Sequence, residues 1–155
     1  MTDASALFEA ARRRLAGTPA ERLGDWAAAR KLLGFGRAPR IVPMGEAWHV
    51  GVLLIAERAV YATGEVLRAR TEAPRGYTAE AQRARSERAA AAARGGFADG
   101  EVVHLGAVEL DLAALTAGRD TGPLSLVGGV PHVRWSATGS PRPLADYLDE
   151  QLALR

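Results

Sequence analysis

The sequence contains no cysteine and no asparagine, and Lys31 is the only lysine among its 20 basic residues. The absence of cysteine excludes disulfide bonds, thiolate catalysis and cysteine-based metal sites. The sequence also lacks the run of about 20 apolar residues that a transmembrane helix needs, and it lacks a charged, apolar and cleavable leader. These absences predict a soluble, cytoplasmic protein that contacts no membrane.

The charge of the chain is small but unevenly distributed. The formal net charge is only +2. Residues 1–94 hold 16 basic and 10 acidic groups, whereas residues 95–155 hold 4 basic and 8 acidic groups. Such a division can attract a polyanion, can help two subunits dock, or can be neutralised within one fold.

A continuous apolar stretch lies near the centre of the sequence. Residues 50–56 are apolar at both the odd and the even positions, which is typical of a strand that is covered on both faces. Glu57 and Arg58 interrupt the stretch before it resumes. We therefore expect an antiparallel hairpin that turns at these two charged residues. Gly51 and Gly64 indicate bulges, bends or positions of close backbone approach.

Two helix signals lie within residues 1–38. Asp3 can cap a first helix that ends at Gly17. The tetrapeptide Thr18-Pro19-Ala20-Glu21 combines a cap, a proline suited to the first helical position and a glutamate that can bond back to the cap. This second signal predicts a helix that ends at Gly34.

The helix predicted at residues 78–94 has an unusual composition. Thr78 is placed to cap it, and Gly95-Gly96 ends it. Its apolar residues are all alanines, which bury little area and therefore drive docking only weakly. We expect this helix either to lie very close to another backbone or to project as an arm.

Further elements are predicted in the last third of the chain. One strand is expected at residues 101–112, and Gly128-Gly129 is a strong two-residue hairpin signal between strands at 124–127 and 130–136. Leucines at helical spacing from about Pro143 predict a closing helix.

Together these elements predict a single α+β domain over residues 1–155 with a mostly antiparallel sheet. Two helices occupy residues 1–38, the sheet occupies 39–139 with helix 78–94 inserted, and the last helix lies in 140–155. The order of elements is similar to that of a pleckstrin-homology-type barrel, which is the more specific expectation.

Three segments resemble a small family of bacterial proteins, some of which are labelled glutaminase. The resemblance covers most of the chain and rests on GEAWHVGV at 45–52, YATGEV at 61–66 and RGYTAE at 75–80. Serine-dependent glutaminases use a Ser-x-x-Lys pair, but Ala28 stands three positions before Lys31, and amidotransferase-type glutaminases need a cysteine. The motifs of this chain therefore do not support the label.

His49, His104 and His132 all lie in strand-like segments. Three-histidine metal sites exist. However, Glu46 and Glu101 lie three residues before His49 and His104, an offset that puts side chains on opposite faces of a strand. We therefore predict no metal and no cofactor, and we expect His104 to be a core histidine with one hydrogen-bond partner.

The candidate anion or ligand site is a polar strip at the end of the last hairpin. His132 shares strand parity with Arg134 and Ser136, and the small polar loop 136–140 ends at Ser140. Backbone amides of such a loop could receive a phosphate or a carboxylate. The loop lacks the phosphate-loop pattern, so a turn with a helix cap is the preferred interpretation.

These observations favour a non-catalytic binding or interaction domain that self-associates as a homo-oligomer through helix 78–94 or binds a protein partner. Arg83, Arg85 and Arg88 are the candidate interface. The same arginines could instead bind nucleic acid weakly, although Glu80 and Glu87 interrupt them and no aromatic residue lies between 79 and 94. A third hypothesis is a small-molecule enzyme that uses His132, Arg134 and the loop 136–140.

Overall fold

The computed structural model describes residues 3–28, 38–71 and 79–155. This part of the chain is a mixture of helices and mostly antiparallel strands. The helices are α1 (Ala4–Leu15), α2 (Glu80–Arg94), α3 (Leu112–Thr116) and α4 (Leu144–Ala153). The strands are β1 (Glu21–Trp26), β2 (Ile41–Val50), β3 (Leu53–Ile55), β4 (Val60–Ala62), β5 (Glu65–Arg68), β6 (Val102–Leu105), β7 (Val108–Glu109), β8 (Leu124–Val127), β9 (Val130–Val133) and β10 (Arg142–Pro143). None of the described helices is long and apolar enough to cross a membrane.

The chain divides into two compact units, each built from separate segments. Unit 1 consists of residues 1–20, 47–63 and 107–155, and unit 2 consists of residues 21–46 and 64–106. Strand β2 begins in unit 2 and ends in unit 1.

Unit 1 is organised around helix α1 and two hairpins. Asp3 caps α1 by accepting a hydrogen bond from the N–H of Ala6 at 3.0 Å, as the sequence predicts. The core of the unit combines residues from all three of its segments: Phe8, Leu15, Val50, Leu53, Ile55, Val60, Leu110, Leu115, Leu124, Val133, Leu144, Tyr147 and Leu148. Its strands follow the orders β2-β3-β4-β7 and β10-β9-β8.

Both predicted hairpins of unit 1 are present. Strands β3 and β4 pair antiparallel, and the N–H of Ala56 donates to the carbonyl of Ala59 at 2.9 Å across Glu57 and Arg58. Strands β8 and β9 pair with Val127 opposite Val130, and both glycines between them have the positive φ angles that a tight hairpin turn requires.

The predicted long strand at 50–56 is wrong in one respect, because the chain turns at Gly51. This glycine has a φ of 61°, and a Cβ there would overlap the hydroxyl of Tyr147 on α4. That hydroxyl accepts a hydrogen bond from the N–H of Val52 at 3.0 Å. Close backbone approach, one of the roles predicted for Gly51, is therefore confirmed.

Unit 2 contains the strand order β5-β6-β1-β2 together with helix α2. Strands β5 and β6 are antiparallel, whereas β1 and β6 are parallel. The core residues are Ile41, Leu67, Ala69, Ala91, Ala92, Phe97, Val103 and Leu105.

Helix α2 confirms the predicted close approach to another backbone. A Cβ on Gly95, directly after the helix, would overlap the carbonyl of Ile41, and the carbonyl of Ala89 accepts a hydrogen bond from the N–H of Arg70 at 3.1 Å. Alanine is therefore the residue type that fits at Ala91 and Ala92, which are buried. The cap predicted at Thr78 lies outside the described residues.

The second N-terminal helix is a wrong prediction over the residues that the structure describes there. Glu21–Trp26 form β1, and Gly24 lies so close to Val103, Ile41 and Phe97 that a Cβ would crowd their side chains. Glycine is a poor helix former and often marks close backbone approach in a strand. The rest of the predicted helix, residues 29–34, is outside the described part of the chain.

Two further predictions are corrected. The strand orders of both units have free ends, so the described strands do not close into a pleckstrin-homology-type barrel. The strand predicted at 101–112 is interrupted at Gly106, whose φ is 75°, and its last residue begins the short helix α3.

Candidate ligand-binding site

An open cleft in unit 1 combines several unlike polar groups. Its volume is about 570 Å³, which lies in the range of small-molecule sites. Three segments far apart in sequence form its walls: Ser5, Glu9 and Arg12 of α1, Arg58, Ala59 and Val60 of the β3–β4 turn, and residues 109–112 between β7 and α3.

Arg12 fixes helix α1 to the β3–β4 turn. Its Nε donates to the carbonyl of Ala56 at 2.7 Å, and Nη2 donates to the carbonyl of Ala59 at 3.3 Å. Nη1 forms an ion pair with Glu9 at 2.6 Å. The Arg12 side chain is only 15% exposed, so its guanidinium is a structural part of the wall.

The opposite wall is fixed by backbone and cap interactions. The N–H of Leu110 donates to the carbonyl of Val60 at 2.8 Å. Asp111 caps α3 by accepting from the N–H of Ala114 at 2.9 Å, and its own N–H donates to Thr121 Oγ1 at 2.8 Å. The Asp111 carboxylate is therefore committed to the helix terminus.

Arg58 and Glu109 on the cleft walls carry charges of opposite sign. Within the described ranges, neither Arg58 nor Glu109 takes part in an ion pair or a side-chain hydrogen bond. Both residues are exposed, whereas Val60 and Leu110 are buried in the core of unit 1. The cleft thus offers a cation and an anion to a ligand.

The charged groups of the lining are carboxylates and guanidinium groups. Of its carboxylates, Glu9 is paired with Arg12 and Asp111 caps a helix.

The structure places the predicted anion site at the end of the β8–β9 hairpin. His132 Nδ1–H donates to the carbonyl of Val130 at 2.8 Å. Arg134 Nη1 lies 3.4 Å from the carbonyl of Gly139, whose N–H donates to Ser136 Oγ at 2.8 Å. Arg134 and Ser136 are therefore joined through one loop residue, and Ser140 is exposed at the end of the same loop.

Polar groups within that loop already satisfy one another. The Gly139 amide, which could have received an anion, is held by Ser136 instead. The register adds Ser125 to this surface, because it lies directly opposite His132. Side chains directly opposite one another on antiparallel strands project from the same face.

The three arginines of the predicted interface do not have equal roles. Arg88 forms an ion pair with Glu65 of β5, with Nε–Oε2 at 2.6 Å and Nη2–Oε1 at 2.9 Å. It therefore connects α2 to the sheet of unit 2. Arg83 and Arg85 are exposed.

The prediction for His104 is confirmed in its main point. The side chain is fully buried in unit 2, and Nε2 lies 3.0 Å from Glu21 Oε1. In unit 1, His49 Nε2–H donates to the carbonyl of Gly51 at 2.9 Å.

Sequence reasoning missed the cleft. The sequence places Arg58 in a predicted hairpin turn and Glu109 within the strand predicted at residues 101–112. No local sequence pattern connects two residues that are 51 positions apart. They come together because strand β4 pairs with strand β7.

No protein-family model, no curated protein and no solved structure matches this chain.

Proposed function

We propose that this protein is a binding domain, and that the cleft of unit 1 holds a small ligand that carries both a positive and a negative group. The observation that carries the proposal is that Arg58 and Glu109, which have opposite charges and form no ion pair with another described residue, lie on walls that Arg12 and Asp111 hold in place. A site that presents opposite charges at fixed positions selects a ligand of complementary charge pattern.

Amide NMR spectra of the ¹⁵N-labelled protein test this proposal. The probes are millimolar acetate, methylammonium and β-alanine, of which only β-alanine carries both charges. We expect β-alanine to shift the amides of Ala59, Val60 and Leu110 more than either single-charge probe. Arg58→Gln and Glu109→Gln should each reduce the shifts, whereas Arg13→Gln, an exposed change outside the cleft, should not. Equal shifts by all three probes, or shifts elsewhere only, would contradict the proposal.

Self-association is a second candidate function, and one observation favours a surface for it. Val127 and Val130 are paired across the β8–β9 turn, and they are 50% and 45% exposed. Contiguous exposed apolar patches mark interaction sites, and this pair would lie at the centre of the proposed one. The buried alanines of α2 face the core of their own unit, so an oligomer that uses this helix would have to contact its Arg83 and Arg85 face.

Light scattering over a dilution series tests the second candidate. If the hairpin is the interface, Val127→Ser combined with Val130→Ser should give a monomer at concentrations where the parent chain is a dimer. Val66→Ser, at another exposed valine, is the matched control and should leave the dimer intact. A parent chain that stays monomeric at all concentrations would exclude this candidate.

Nucleic-acid binding through α2 stays a prediction with a smaller surface, because Arg88 is engaged by Glu65. It would require binding that weakens steeply with salt and is lost in Arg83→Ala with Arg85→Ala. We also keep the cytoplasm as the proposed location, which the absence of cysteine permits.

A further inference from the structure

A second cavity of unit 1 lies where the C-terminal ends of α1 and α4 come together. Its volume is about 540 Å³, which is in the range of small-molecule sites. We call it the arginine cavity, and the residues that line it are Arg14, Leu15, Thr18, Pro19, Leu152 and Arg155. Both charged groups in this described lining are guanidinium groups, so the cavity presents positive charge to a ligand.

Arg155 is held in place by neutral groups. Its Nη1 donates to the carbonyl of His49 at 2.6 Å, and its Nη2 lies 3.4 Å from the carbonyl of Pro19. Within the ranges that the structure describes, Arg155 forms no ion pair. Carbonyl oxygens fix the position of the guanidinium but do not neutralise its charge. Arg155 therefore offers an anion a positive group whose position is already fixed.

Arg14 has a charged partner, but this ion pair is exposed. Its Nη1 lies 2.7 Å from Asp149 Oδ1, and the two side chains are 48% and 74% exposed. Exposed ion pairs contribute little free energy and are screened by salt. A guanidinium also has five N–H donors, of which the bond to Asp149 uses one. Arg14 therefore has donors left for an anion in the cavity.

Accessible apolar groups lie on the same lining as the two arginines. Pro19 is exposed and Leu152 is half-buried. Leu15 is different, because it is only 1% exposed and belongs to the core of the unit. A ligand that matches this lining has a negative group for the guanidinium groups and a small apolar part for Pro19 and Leu152.

We infer that the arginine cavity binds a small organic acid, whose carboxylate contacts Arg14 and Arg155 and whose apolar part contacts Pro19 and Leu152. The planar guanidinium group matches the geometry of a carboxylate. This second site does not depend on the proposed function of the cleft, because no residue lines both.

NMR spectra of the ¹⁵N-labelled full chain at neutral pH test the inference with four probes. The probes are benzoate, benzyl alcohol, benzylammonium and inorganic phosphate at matched ionic strength. We expect benzoate to shift the amides of Thr18 and Leu152 and the Nε–H of Arg155 until the shifts saturate. The two neutral or cationic probes lack the negative group and phosphate lacks the apolar part, so each should bind about fivefold more weakly or less.

Variants of the arginines identify the charge contacts. Arg14→Gln and Arg155→Gln should each weaken benzoate binding about fivefold, since each removes one solvent-exposed charge contact. Arg13→Gln changes an exposed arginine that does not line the cavity, and it should leave the affinity unchanged. The amide shifts away from the cavity show whether each variant keeps its fold.

Asp149→Asn tests the same contact without removing an arginine. It releases Arg14 from its ion pair, so we expect benzoate to bind about two- to threefold more tightly. Asp146→Asn is the matched control, because Asp146 is exposed on the same helix and forms no ion pair within the described part of the chain. It should leave the affinity nearly unchanged.

Each of the following outcomes would overturn the inference. Benzyl alcohol that binds as tightly as benzoate would show that the guanidinium groups do not select the ligand. Phosphate that binds as tightly as benzoate would show that the apolar lining makes no contribution. Benzoate shifts that persist in both arginine variants, or equal affinities of the two aspartate variants, would show that the acid does not contact these arginines.

Discussion

At the residue scale, Arg12 shows how neighbouring identical side chains acquire different roles. It is one of three consecutive arginines, of which Arg13 and Arg14 are exposed, while Arg12 donates to two turn carbonyls. Removing its guanidinium takes away the donor to the Ala56 carbonyl, while the Ala59 carbonyl keeps the N–H of Ala56. We expect Arg12→Met, which keeps the aliphatic stem, to lower the free energy of unfolding by about 2 kcal/mol in urea titrations. Arg13→Met should change it by no more than about 0.5 kcal/mol. Equal effects of the two variants would contradict this role for Arg12.

The two glycines after α2 provide a second contrast at this scale. Gly96 has a φ of 110° and open space around it, so Gly96→Ala should cost about 1 to 2 kcal/mol through backbone strain alone. Gly95 has an ordinary φ, but a Cβ there would overlap the Ile41 carbonyl. Gly95→Ala should therefore cost about 3 kcal/mol, because the end of the helix has to move. Thermal unfolding of both variants measures the difference, and a smaller loss for Gly95→Ala would show that the close approach is tolerated.

At the element scale, the β8–β9 hairpin is the case in which local sequence determines local structure. Gly128 and Gly129 both have positive φ, a conformation that costs other residues about 1 to 2 kcal/mol. We expect Gly128→Asn to be nearly neutral and Gly128→Val to lower the free energy of unfolding by about 1 to 2 kcal/mol, measured in urea. Similar losses for both substitutions would indicate that the turn has another conformation.

Elements whose signals are local were predictable, and elements that depend on distant partners were not. The cap at Asp3, the turn at Glu57 and Arg58, and helix α4 follow from adjacent residues. Strand β1 does not, because its cap-like tetrapeptide favours a helix locally. The parallel pairing with β6 and the crowding around Gly24 override that preference. The cleft could not be predicted from the sequence for the same reason, because the paired positions Ala62 of β4 and Val108 of β7 are 46 residues apart.

At the scale of the whole molecule, the two units are interleaved along the chain. Unit 1 takes its core from three segments, the last of which begins at residue 107. A fragment of residues 1–106 would keep Phe8, Leu15 and Leu53 but would lose the residues of α3, β8, β9 and α4 that cover them. We therefore expect this fragment to aggregate or to show no fixed packing of unit 1 in near-ultraviolet circular dichroism. Adding a peptide of residues 107–155 should restore the signal, whereas a native-like spectrum of the fragment alone would refute the dependence.

The contact of Gly51 with Tyr147 predicts that positions 51 and 147 change together during evolution. The Tyr147 hydroxyl fills the space where any other residue at 51 would place its Cβ, and it also accepts the Val52 N–H. The two positions should therefore have been inherited as a pair. A relative that carries alanine at 51 should carry a residue without this hydroxyl at 147, and a relative that keeps the tyrosine should keep the glycine. The 95 residues between them should vary far more freely than this pair.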